Sequence, residues 1–177
     1  MMRFCLSLPS RAAFAGLVLF AVSGCGEERA TGPNELDLVA STATGLVQCP
    51  TNETLVTEKL VAPLLGGIVS LGGTSVTLGG DAISLPTLIT LTIPSGRYME
   101  IDVKANRLDS FLFDAPVTVT IDYSRCSRTN INQAPLKVWQ IDPVTKQRLE
   151  DMGGIDNKVA RSITFTTDHF SAYAIAF

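Results

Sequence analysis

Beyond about residue 58 the chain is patterned in short apolar runs rich in Val, Ile, Leu and Thr, separated by Gly, Pro and Asn. Runs of this length between turn residues read as β-strands rather than helices. The clearest cover 60–64, 67–71, 75–78, 82–85, 88–93, 98–103, 117–123, 136–141, 162–166 and 171–177. In Val117-Thr118-Val119-Thr120-Ile121-Asp122-Tyr123 the apolar residues alternate strictly, as a half-buried strand requires. No window of comparable length carries a helical stripe. Glycine pairs at 66–67, 72–73 and 79–80 fit either a repeat solenoid or tight turns between short strands, and the pattern stops there, which favours hairpin turns. Ten short strands at this spacing predict an all-β domain over residues 58–177, an antiparallel β-sandwich.

The first part of the chain follows another rule. Arg3 and Arg11 precede an apolar stretch from Ala12 to Val22, and Val22-Ser23-Gly24-Cys25 follows. A basic start, a short apolar core and small residues form a secretory signal over residues 1–24. As a helix the core would reach only about 16 Å, against a hydrocarbon thickness of roughly 30 Å, so it is too short to span a bilayer. The Cys directly after Val-Ser-Gly resembles the lipobox of bacterial lipoproteins. That resemblance implies cleavage before Cys25 and lipid on its thiol and new amine, a multi-chain anchor that holds where a single acyl chain binds only marginally. Gly26, not Asp, follows Cys25, so by the same resemblance the outer membrane is the expected destination, facing periplasm or cell surface. From there to residue 57 the sequence is polar and aperiodic, with Gly32, Pro33, Gly45 and Pro50, and residues 25–57 are expected to be a lipidated tether.

Without residues 1–24 the chain retains 12 basic against 17 acidic residues, a formal charge near −5. No basic patch is present to displace counterions from nucleic acid or to bind anionic lipid by charge. About 150 residues suffice for one domain with a true core. Once Cys5 leaves with the signal and Cys25 carries lipid, Cys49 and Cys126 are the only pair left. In an oxidising compartment one disulfide is expected, closing a loop of about 80 residues and contributing on the order of 4 kcal/mol. The alternative is two free thiols.

Gly66-Gly67-Ile68-Val69, Ser75-Val76-Thr77-Leu78, Ile83-Ser84-Leu85-Pro86 and Thr90-Leu91-Thr92-Ile93-Pro94 resemble the opening of a ZU-five domain, the β-sandwich of ankyrins, netrin receptors and zonula occludens proteins. Pro116-Val117-Thr118-Val119-Thr120-Ile121-Asp122-Tyr123, the stretch 136–142 and His169-Phe170-Ser171-Ala172-Tyr173 are similar to lipoprotein versions of that domain. After Ile93-Pro94 the chain runs Ser95-Gly96-Arg97, where the family often has a Pro-x-Gly-Ala turn.

In some ZU-five domains His-Phe-Ser is a self-cleavage site. Carried to this chain, the resemblance implies attack by the Ser171 hydroxyl on the Phe170 carbonyl, with His169 as general base and water hydrolysing the ester. On a continuous strand His169 and Ser171 would share a face. The competing reading is structural, with His169 capping the strand and Phe170 and Tyr173 in the core.

Other chemistry has less behind it. With one histidine and no clustered cysteines, a zinc site of standard ligands cannot be assembled, and no cofactor is expected. A Ser-His-Asp hydrolase built on Asp168 and His169 lacks a Gly-x-Ser-x-Gly elbow and puts adjacent residues on opposite faces. Glu150-Asp151-Met152-Gly153-Gly154-Ile155-Asp156-Asn157 gathers oxygen ligands without EF-hand spacing and reads as an acidic solvated turn rather than a Ca²⁺ loop. Asn52-Glu53-Thr54 matches a glycosylation acceptor by formula only. The expected function is thus a membrane-anchored envelope lipoprotein. It would display a non-catalytic interaction or adhesion module to an envelope or extracellular protein, with self-cleavage between Phe170 and Ser171 as the alternative.

Overall fold

The computed structural model describes residues 45–108, 110–127, 131 and 135–177; the expected signal segment, Cys25 and most of the expected tether lie outside the described residues. Thirteen strands are described: β1 (Gln48–Thr51), β2 (Leu55–Val61), β3 (Gly67–Leu71), β4 (Thr74–Leu78), β5 (Thr87–Ile93), β6 (Gly96–Tyr98), β7 (Glu100–Ala105), β8 (Phe111–Asp122), β9 (Lys137–Ile141), β10 (Arg148–Gly153), β11 (Ile155–Asn157), β12 (Ser162–Phe170) and β13 (Ala172–Ala176). A six-stranded sheet in the order β10-β9-β13-β7-β5-β2 faces a five-stranded sheet in the order β11-β12-β8-β4-β3, and β1 pairs with β6 in a third, two-stranded sheet. All pairings are antiparallel. The fold is an all-β antiparallel sandwich, as the strand pattern predicts.

The core follows from that alternation. β5 sends Ile89, Leu91 and Ile93 inward, β7 sends Ile101, Val103 and Ala105, and these meet Val117, Val119 and Ile121 of β8 and Ile163 and Phe165 of β12. Each fully buried Ile or Leu is worth about 1.5–3 kcal/mol. β13 breaks the alternation, because all five of its residues are buried. Tyr173 and Ile175 join the main core, while Ala172, Ala174 and Ala176 lie in a second cluster with Leu46 and Ile141, flanked by Tyr98 and Trp139. Alanines on that outer face leave room for other chain segments to pack over it.

Gly72 and Gly73 form the two-residue hairpin between β3 and β4, with φ of 56° and 84°. Two positive values in succession are what the twist-matched hairpin turn demands; of the other two pairs, Gly67 opens β3 and Gly79-Gly80 follow β4, so the middle pair alone is a two-residue hairpin. Gly66, at φ 63°, sits so close to the end of β4 that an added Cβ would lie 2.3 Å from the Leu78 carbonyl oxygen.

Several expected boundaries move. Residues 82–85 are not a strand: Ala82 and Ile83 are buried within the loop between β4 and β5, where Ala82 O accepts from Asp114 N. Their apolar character reflects packing beneath the loop, not ladder pairing. The run 98–103 divides at fully buried Met99, whose N–H leaves the ladder for Val47 O, so β6 and β7 fall in different sheets. Residues 46–57, assigned above to the tether, belong to the folded body: Leu46, Val47 and Cys49 are buried and β1 and β2 begin there. The run 60–64 ends as a strand at Val61. The acidic stretch 150–157, expected as a solvated turn, supplies most of β10 and all of β11, both at sheet edges where side chains on either face remain wet.

Cys49 and Cys126 are joined, with Cα atoms 4.7 Å apart. The bond fastens β1 to the turn after β8. Beside it, Tyr123 donates from its hydroxyl to Asp156 Oδ1 at 2.5 Å and Arg161 donates to the Cys126 carbonyl.

Candidate functional site

β12 ends at Phe170 in the five-stranded sheet and β13 begins at Ala172 in the six-stranded sheet, so Ser171 is the single residue at which the chain changes sheets. Just before it the ladder with β8 slips. Thr167 faces Val117, whereas His169 faces Leu112, and Pro116, which has no N–H to give, falls in the interval. Thr167 repairs the break with its own side chain. Its hydroxyl donates to the His169 carbonyl at 2.9 Å and lies 3.3 Å from the His169 N–H that it accepts. The Tyr173 hydroxyl donates to the same carbonyl at 2.6 Å. Two donors therefore converge on the carbonyl of His169, one peptide unit upstream of the bond that a Phe-Ser cleavage would break.

The three residues of the motif are held separately. His169 Nδ1 lies 2.9 Å from Asp168 Oδ1 and 3.5 Å from Thr167 Oγ1. The imidazole holds the Asp168 carboxyl below the usual carboxylate range. Phe170 is buried, its ring edge-on to Phe113 with centroids 4.4 Å apart. Ser171 Oγ accepts from Gln140 Nε2 at 3.0 Å, and its carbonyl accepts from Val103 N at 3.1 Å. The shared face expected for His169 and Ser171 needs an unbroken strand, and the strand stops between them. Neither Phe170 nor Ser171 has positive φ. Tyr173 is fully buried, and burial pushes its hydroxyl up to about 12, so it stays a neutral donor under ordinary conditions.

Thr167, Tyr173 and Gln140 complete this corner; Tyr173 was expected in the core, where it lies, but not as a donor to the motif, and Thr167 and Gln140 were not singled out. Thr167 and Tyr173 flank the motif at i−2 and i+4 of His169, a spacing that acquires meaning only once the bulge and the corner are known.

The carboxylates of the 150–157 stretch are engaged one at a time. Asp151 forms an ion pair with Lys137 at 2.6 Å and caps Gly153 N, and Lys137 holds it below the usual carboxylate range. Asp156 joins Tyr123 and Lys158. Among the described residues, no group of three or more His, Cys, Asp or Glu is arranged to hold a metal ion. No helix among them is long and apolar enough to cross a membrane.

Compared with known proteins, the sequence matches no family model and no curated protein.

Proposed function

We propose that this chain is an envelope lipoprotein, anchored through lipid on Cys25, whose ZU-five-like sandwich serves as a non-catalytic interaction or adhesion module, with the outer membrane as its place. Val22-Ser23-Gly24-Cys25 supports the anchor, and the order of motifs from Gly66 to Tyr173 supports the ZU-five likeness. The observation that carries the non-catalytic reading is the division of labour at the sheet-changing corner. His169 is engaged with Asp168 and Thr167, Ser171 Oγ with Gln140, and the two strong donors point at the carbonyl of His169. That arrangement builds a bulge and a corner from a motif that would otherwise read as a nucleophile and its base.

Two measurements test the proposal. Fatty-acid labelling of growing cells should mark the wild type and not Cys25→Ala, which should appear in the soluble fraction; a Cys25→Ala chain that stays with the membrane refutes the anchor. Mass spectrometry of the denatured mature protein should show an intact chain. Release of a fragment running from Ser171 to Phe177 would replace this reading with self-cleavage at Phe170–Ser171.

A further inference from the structure

The end of the sandwich opposite the point where the chain enters it carries an unusual set of side chains. Gly45 and Leu46 lie beside the finish of β13, where Leu46 pairs with Ala176 and Gly45 O accepts from Phe177 N. There β7 is at its start, since Glu100 faces Ala174. The opposite end is reached where β7 finishes at Ala105 beside Ile89, roughly 25 Å along the strands. Three loops meet at that end: 62–66, 79–86 and the one after β7, of which 106–108 and 110 are described. Leu64 N donates to Gly80 O, Asp114 N to Ala82 O, and Asn106 N to Leu88 O, so they form one surface with the start of β8.

On that surface stand Leu64, Leu65, Leu85, Leu108 and Leu112, exposed by 90%, 84%, 72%, 52% and 74%. Single exposed leucines are ordinary; four on adjoining loops with a fifth at the start of β8 are not. Leu85 and Leu112 line a cleft of about 190 Å³ together with Ala82, Ile83, Asn106 and Phe111. Small-molecule sites run roughly 300–1,000 Å³, so this one fits a single large side chain better than a whole ligand.

Charge decides among apolar occupants. Asp114 is exposed and lines the cleft, Asp81 is exposed next to cleft-lining Ala82, and Asp168 stands beside His169, which faces Leu112. Arg107, the one cation within the three loops, is paired with Glu58 at 3.7 Å. A carboxylate rim is repelled by an anionic bilayer and by a second copy of itself, and it favours a partner that brings cations.

We propose that this loop end docks an apolar, basic segment of a partner protein, seating one large apolar side chain in the cleft with Lys or Arg beside Asp81 and Asp114. The proposal rests on the interaction-module reading and locates its surface.

The test uses the full chain carrying Cys25→Ser, panned against a displayed library of random peptides. Enriched peptides should combine a large apolar residue with Lys or Arg. A synthetic copy should lose at least about tenfold in affinity against Leu85→Ser/Leu112→Ser. Asp81→Asn/Asp114→Asn should weaken binding and flatten its salt dependence. Both variants alter exposed positions, and an unchanged melting curve will certify their folding. Peptides that bind equally well to the leucine variant leave an interaction module with another surface and overturn this assignment. Failure to enrich any peptide overturns both readings. Leucine-dependent binding to phosphatidylglycerol vesicles, or a leucine-dependent dimer in sedimentation, overturns the choice of occupant.

Discussion

Replacing both bridged cysteines by alanine, Cys49→Ala/Cys126→Ala, should cost this protein a large part of its stability, chiefly through the unfolded chain. The bond spans 77 residues. On the chain-entropy account, releasing a loop of that length returns about 15 cal/mol/K to the unfolded state, or about 4.5 kcal/mol near room temperature. Domains of this size are stable by roughly 5–15 kcal/mol, so the variant should fold with a thin margin. The native state should change little: Cys49 and Cys126 are buried by 99% and 96%, and each alanine removes one sulfur from a packed site. Urea unfolding of the oxidised wild type and the double variant measures the difference directly. The expected result is a loss of about 3–5 kcal/mol, with a slope as steep as the wild type's or steeper, because the unbridged chain exposes more surface. A loss below about 1 kcal/mol would refute the entropic origin. So would hydrogen exchange in which Val47 to Thr51 lose native protection while the rest of the sandwich keeps it, since the bond would then be a local clasp on β1.

Three further outcomes follow from the packing. Gly66→Ala places a Cβ 2.3 Å from a backbone oxygen at φ 63°, whereas Gly72→Ala at φ 56° meets only the tip of Ile93 at 3.5 Å. Thermal unfolding should therefore show about 1 kcal/mol lost at Gly72 and more than about 2 kcal/mol at Gly66, and equal losses would remove the steric explanation. Burial raises both Tyr123 and Tyr173 above their unfolded values, Tyr173 up to about 12. Their contribution is complete below about pH 10 and falls as pH rises, Tyr173's being lost by about pH 12 and Tyr123's later, because the unfolded chain gives up these protons first, at a rate of up to about 1.4 kcal/mol per pH unit for each tyrosine. Urea titrations at pH 9 and 11 should show the decline, and Tyr173→Phe should make it shallower; an unchanged slope would contradict the raised value.

The strands most legible in the sequence are those with one wet face and one dry. Val117 to Asp122 and Thr87 to Ile93 alternate because the sandwich buries every second residue, and Gly72-Gly73 announces its hairpin. β1 was not legible: Gln48-Cys49-Pro50-Thr51 has no β-rich pattern and is a strand because β6 and a distant cysteine hold it. β10 was hidden for a related reason, since an edge strand exposed on both faces needs no alternation and can carry Glu150 and Asp151. At the candidate site the motif His169-Phe170-Ser171 stood out, yet its geometry depended on a bulge set by Pro116 across the ladder and on a change of sheet at Ser171. The pairing of Cys49 with Cys126 was expected only once Cys5 and Cys25 had been set aside as signal and anchor residues, with two free thiols as the alternative. The leucine surface was not legible, because nothing local separates Leu64 and Leu65, which face solvent, from Leu78 and Leu91, which do not.

The last strand has a consequence for how the molecule is made. β13 is an interior strand, flanked by β9 on one side and β7 on the other. A chain emerging from its amino end first presents β7 and β9 with no neighbour between them, and both keep open edges until Ala172 to Ala176 arrive. Because Asp102 of β7 precedes its partner Ala172 by 70 residues, closing the six-stranded sheet waits on a non-local pairing, which makes it the slow step of folding. Until then the inner edges of β7 and β9 stay open as templates for other strands, so slow docking of β13 exposes the chain to edge-to-edge association.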